Sequence, residues 1–115
     1  GLKDLKLLKG STEEIIKKKK YKKFYMHNIG HWLGLDVHDA GPYLNERNTS
    51  IKLQPGMVMT VEPGIYISNE QTDVKKEFKG IGIRIEDDIL VTKTGNIVLT
   101  DGVPKRIDEI EALAF

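Results

Sequence analysis

Leu2, Leu5 and Leu8 recur every three residues among lysines and an aspartate, the spacing of one helix face, and Gly10 supplies a stop. Ser11 stands three positions before Glu14, the spacing of a capping box, and predicts a second helix through Ile15 and Ile16 into Lys17–Lys20. From Tyr21 the pattern changes to strands. Phe24-Tyr25-Met26 predicts a short strand, and Met57-Val58-Met59-Thr60-Val61 is apolar on both faces, as in a central strand covered on both sides. Pro63 pushes Glu62 into extended backbone and ends that strand with a carboxylate at its tip. Residues 80–91 predict one long strand, turning through Thr94-Gly95-Asn96 into Ile97-Val98-Leu99 as a hairpin. Ile107, Ile110 and Leu113 predict a short amphipathic helix, and residues 40–54, with Gly41, Pro42, Asn45 and Asn48, form the longest loop.

Strand alternation sorts the residues of the long strand. Ile81, Ile83 and Ile85 share one face, while Gly80, Gly82, Arg84 and Glu86 share the other. Two glycines beside an arginine and a glutamate leave an open polar trough suited to a close-approaching ligand or backbone. An ordinary solvent-facing Arg/Glu pairing accounts for the same pattern, and the alternation leaves both readings open.

The chain has 115 residues, room for one small domain. Eighteen basic and seventeen acidic residues leave a net charge of +1, without the basic excess that favours nucleic acid. The lysines at 17–20, 22 and 23 are read as the solvated end of a helix, where cations are stabilising. There is no cysteine, which excludes disulfides and thiolate ligands and fits a reducing compartment. No apolar run approaches the ~20 residues of a membrane span. The expectation is a cytoplasmic protein with neither nucleic acid nor membrane as partner.

All three histidines, His27, His31 and His38, fall within twelve positions, which concentrates metal-binding and proton-transfer chemistry at one place. His27 and His31 are four apart, like the paired ligands of zinc peptidases that read H-E-x-x-H, but Asn28 stands where the general-base glutamate belongs. Gly30 and Gly34 further weaken a helix, so the segment reads as strand and loop. Glu62 and Glu86 occupy strand positions able to converge on these histidines. One imidazole with two carboxylates suits Mn²⁺, Co²⁺ or Zn²⁺. A carboxylate can bridge two such ions, although three ligands cannot saturate two ions that each take about four to six donors.

The run from His27 to Asp39, the blocks Leu53-Gln54-Pro55-Gly56-Met57 and Thr60-Val61-Glu62-Pro63-Gly64, and the segment from Gly80 to Asp88 closely resemble the C-terminal part of Xaa-Pro aminopeptidases (the aminopeptidase P family). These are pita-bread metallopeptidases related to prolidase and methionine aminopeptidase. The resemblance is collinear over essentially the whole chain. It implies an α+β fold, the C-terminal half of a pita-bread domain, with a curved, mainly antiparallel sheet, two N-terminal helices and a short C-terminal helix.

The same resemblance implies roles. His31 would be a metal ligand, Glu62 a ligand to the same ion and a proton acceptor, and Glu86 the carboxylate bridging two divalent ions, Mn first, with Co or Zn as alternatives. His27 would help bind substrate, His38 would lie near the scissile carbonyl, and Arg84 would hold the acidic network in place. The implied reaction cleaves the bond between an N-terminal residue and a following proline, with peptides carrying proline second as partners. Two aspartate ligands of the family belong upstream of these residues, and the chain opens at Gly1 without an initiator methionine. Residues 1–115 are therefore expected to be one part of a catalytic domain, inactive alone and weakly metal-binding or metal-free, and to self-associate as a homo-oligomer through exposed apolar surface. The alternatives are prolidase, a metal-free pita-bread binding module, or a metal-independent hydrolase of the creatinase type; retention of His31, Glu62 and Glu86 argues against the last two.

Overall fold

A computed structural model describes residues 1–114. In chain order the elements are α1 (Thr12–Lys17), β1 (Val58–Val61), β2 (Gly64–Tyr66), β3 (Gly82–Arg84), β4 (Asp87–Val91), β5 (Asn96–Val98) and α2 (Ile107–Leu113), with 3₁₀ turns at Lys20–Lys23 and Lys76–Phe78. Two antiparallel sheets, ordered β1-β4-β5 and β2-β3, give the expected α+β class. The chain separates into two compact units, Gly1–Asn28 with Pro63–Arg84, and Ile29–Glu62 with the residues from Ile85 onward.

In the first unit α1 begins as its sequence dictates. Ser11 is the N-cap, its hydroxyl accepting the Glu14 N–H at 3.1 Å, and Glu13 and Glu14 place negative charge in the first turn. The helix stops within two turns because Lys19 takes a left-handed backbone, φ 51°. The helix expected over 2–9 does not form. Lys6 is left-handed at φ 58°, and the bonds on either side, Leu5 N–H to Gly1 C=O and Lys6 N–H to Lys3 C=O, are separate turns. The leucine spacing is met by turns instead of a helix. Phe24-Tyr25-Met26 also falls short of a strand, although the Phe24 carbonyl accepts the Tyr66 N–H at 2.9 Å and so lies beside β2. Ile15, Phe24 and Ile67 form this unit's buried apolar core, with Phe24 fully enclosed.

In the second unit β1 pairs with β4, Thr60 opposite Asp88 and Val61 opposite Asp87, and β4 turns into β5 with Leu90 opposite Ile97. The hairpin is the one the sequence predicts. The free edge of β1 is taken by the histidine-bearing segment 29–33. Leu33 N–H donates to Val58 C=O at 3.1 Å, Thr60 N–H to His31 C=O at 2.9 Å and Glu62 N–H to Ile29 C=O at 2.7 Å. The helical alternative for this segment is thereby excluded.

The single long strand expected over 80–91 is in fact two, β3 and β4, in different sheets. β1 ends at Val61 and β4 begins at Asp87, and Pro63, which has no N–H, cannot extend β1 as a donor. Glu62 and Glu86 consequently each stand one residue beyond the pair formed by Val61 and Asp87. Helix α2 forms where predicted, but Ile107, Ile110 and Leu113 are all exposed, so its apolar face is not covered within the described residues. No helix among them is long and apolar enough to cross a membrane.

Candidate metal centre

The side chains most deeply buried in the second unit are polar: Thr60 at 2 % exposure and Glu62 at 8 %. Burying a carboxylate is costly unless something compensates its charge, so the surroundings of Glu62 are informative. Its Oε1 lies 3.5 Å from His31 Nε2, and Glu86 Oε1 lies 4.0 Å from the same nitrogen. One donor atom from each of His31, Glu62 and Glu86 falls within 4.8 Å of the others.

Hydrogen bonding fixes the orientation of that ring. His31 Nδ1 is 2.9 Å from the Trp32 carbonyl oxygen, which can only accept, so Nδ1 carries a proton and Nε2 is turned toward the two carboxylates. With Nε2 unprotonated, three electron-pair donors converge on one point. Two carboxylates at such separations repel by roughly 3 kcal/mol at an effective dielectric of about 20, and a cation between them reverses the sign. A histidine holding its second N–H on a backbone carbonyl is the arrangement that orients an imidazole for a divalent metal. The donor set, nitrogen and oxygen without sulfur, fits Mn²⁺, Co²⁺ or Zn²⁺.

The backbone delivers these groups. His31 is placed by the ladder between 29–33 and β1, Glu62 by its place directly after β1 with its N–H on the Ile29 carbonyl, and Glu86 by its place directly before β4. Next to Glu86, Asp87 accepts the Thr100 hydroxyl at 2.6 Å and the Lys105 ammonium at 3.0 Å, which hold its carboxyl below the usual range, Thr100 contributing most. Lys105 also donates to the carbonyls of Thr100 at 2.8 Å and Val103 at 3.0 Å, so the start of β4 is tied to the turn after β5.

His38 sits beside the cluster, its ring edge-on to His31 with centroids 4.3 Å apart. His27 and Arg84 belong to the first unit and meet there through Tyr66. Arg84 Nε donates to the Tyr66 hydroxyl at 2.8 Å; that hydroxyl is 2.9 Å from His27 Nε2, and His27 Nδ1 is 2.7 Å from the Asn28 carbonyl. His27 Nδ1 donates to the Asn28 carbonyl, which can only accept, and the Tyr66 hydroxyl, accepting from Arg84, links the two side chains. Sequence reasoning passed over both Thr60 and Tyr66. Thr60 carried a signal, a hydroxyl inside an otherwise apolar strand; Tyr66 carried none, since an aromatic in a strand is ordinary core.

Residues 4–93 match metallopeptidase family M24. The chain belongs to that family. Among its M24 relatives, the Xaa-Pro aminopeptidase of Haemophilus influenzae is 54 % identical over 113 residues, which is 98 % of this chain and 26 % of that protein. Human Xaa-Pro aminopeptidase 3 is 42 % identical over 112 residues, 97 % of this chain and 21 % of that protein. Pseudomonas aeruginosa aminopeptidase PepP superposes with a TM-score of 0.92 at 56 % identity, covering 97 % of this chain and 25 % of that one. The pita-bread fold expected from the sequence is therefore shown. The chain spans about a quarter of the length of these M24 relatives.

Proposed function

We propose that this chain supplies part of the catalytic centre of an Xaa-Pro aminopeptidase, with His31, Glu62 and Glu86 as ligands of a divalent metal centre. The observation that carries the reading is the convergence of His31 Nε2 with two carboxylates, one of them buried. Bound there, divalent ions, Mn²⁺ by preference, supply Lewis-acid polarisation of a peptide carbonyl and an activated water.

The protein groups around them have separable tasks. Glu86, the more exposed carboxylate, would hold the metal centre together with His31, and Glu62 would be a ligand able to accept a proton from water. His38, edge-on to His31, is assigned to the oxygen of the scissile carbonyl, where a donated hydrogen bond stabilises developing charge. His27, oriented by Tyr66 and the Asn28 carbonyl, is assigned a substrate contact, and Arg84 an orienting role through Tyr66. Three protein donors are too few for two ions, so further ligands are assigned to residues outside these 115. The substrate is a peptide with proline second, a reading supported by relatives named Xaa-Pro aminopeptidase.

The test is calorimetric titration with Mn²⁺ and Zn²⁺ of this chain, and of this chain joined to the upstream portion of a relative, each with His31→Ala, Glu62→Gln and Glu86→Gln. Tight uptake of two ions by the joined protein, lost in every variant and accompanied by release of the first residue from an Xaa-Pro peptide, is the expected result. Binding that survives all three substitutions would refute the ligand assignment. A folded joined protein that binds no metal would point to a binding module whose His31 is an imidazolium paired with Glu62.

A further inference from the structure

We propose that Thr60 is a positioning residue that sets the His31 backbone and the Glu62 carboxylate in register with each other. It is a buried position in β1, where the other residues, Val58, Met59 and Val61, are apolar. Valine matches it in shape and favours strands equally, so neither packing nor propensity calls for the hydroxyl. Two hydrogen bonds do. The hydroxyl oxygen accepts the His31 N–H at 3.0 Å and the hydroxyl donates to Glu62 Oε1 at 3.3 Å. The direction is forced, because an amide N–H only donates and leaves the single hydroxyl proton for the carboxylate.

The backbone explains why a side chain is used. Thr60 N–H donates to the His31 carbonyl at 2.9 Å, and a regular antiparallel pair would return a bond from His31 N–H to the Thr60 carbonyl. Here the return bond ends on the hydroxyl. The same oxygen of Glu62 that takes the hydroxyl proton is the one 3.5 Å from His31 Nε2. A single residue thus fixes the height of one proposed ligand and the rotation of another. Partners of this kind typically change metal affinity 10–100-fold. Positioning stands on these bonds alone, whereas its effect on metal rests on the metal-centre reading.

The test compares Thr60→Val and Thr60→Ser in the 115-residue chain. Without metal, amide hydrogen exchange of His31 is expected to rise about tenfold or more in Thr60→Val, the equivalent of one lost hydrogen bond, and to return near wild type in Thr60→Ser. The Thr60 and Glu62 amides, which bond backbone carbonyls, should keep their rates. Equal acceleration at all three amides, or none at His31, would overturn the proposal. In this chain joined to the upstream portion of a relative, a Zn²⁺ titration followed at the His31 ring should then show affinity about tenfold or more weaker in Thr60→Val, with Thr60→Ser close to wild type. Unchanged zinc affinity in Thr60→Val would overturn the effect on metal. No zinc response at His31 in the folded, joined wild type would overturn the metal-centre reading instead, and the exchange measurement would still decide the positioning role.

Discussion

Gly30 lies so close to the carbonyl of Thr60 that a β-carbon there would overlap the oxygen. Its φ lies outside the left-handed region, so what the position requires is space and not conformational freedom. The strip carrying His31 can lie along β1 only because residue 30 has no side chain. Gly30→Ala should therefore push the strip off its ladder and destabilise by about 1–3 kcal/mol, the usual range for overpacking a tight contact. Denaturant unfolding checks the stability, and amide exchange at Thr60 and Glu62 checks that the ladder is what fails. Unchanged protection at both amides would mean that the strip does not depend on this contact.

Among the described residues Phe24 is the one large apolar side chain with no solvent exposure, and with Ile15 and Ile67 it makes up the buried core of the first unit. Phe24→Ala should cost about 3–5 kcal/mol, a large share of the stability of so small a unit. The expected outcome is loss of protection at Tyr66 and Ile67, read by hydrogen exchange, before protection is lost in β4.

The carboxylates and the histidine of the candidate centre were legible in the sequence because their chemistry is carried by residue type, and because Pro63 marks where the strand before it must end. The break between β3 and β4 was hidden. Ile81, Ile83 and Ile85 alternate as if in one strand, and no proline or turn residue at Ile85-Glu86 signals the stop between Arg84 and Asp87. The leucines at 2, 5 and 8 misled for a related reason. Their spacing fits a helix, yet Lys6 adopts a left-handed backbone that propensity does not foresee. Three-residue periodicity reports which side chains can share a face, and a chain of turns can satisfy it too.

Lys105 gives a prediction with a sign in pH. Asp87 is held below its ordinary range by Thr100 and Lys105, so its ionised form is favoured by folding. Its contribution is fully present above the unfolded carboxylate value and is lost as pH falls through the lower folded value, so the loss begins at about pH 4 and deepens below it. Lys105→Met should flatten that acid-side loss while lowering stability near neutrality. Thermal unfolding across the acid range measures it, and parallel profiles for the two proteins would show that the ion pair does not contribute.

Tyr66 joins Arg84 to His27 through one hydroxyl, and Tyr66→Phe removes both bonds while leaving the ring in place. His27 Nε2 then loses that partner, while Nδ1 stays on the Asn28 carbonyl. The expected result is faster exchange of the Arg84 Nε–H and a shifted His27 Nε2 resonance, both visible by NMR, with only about 0.5–1.5 kcal/mol lost per bond. Unchanged Arg84 Nε–H exchange and an unmoved Nε2 resonance would show that the hydroxyl does not join the two side chains. If the chain of bonds orients His27 for substrate, the same substitution in an active Xaa-Pro aminopeptidase should raise KM more than it lowers kcat, because a substrate contact held in the ground state is what has been loosened.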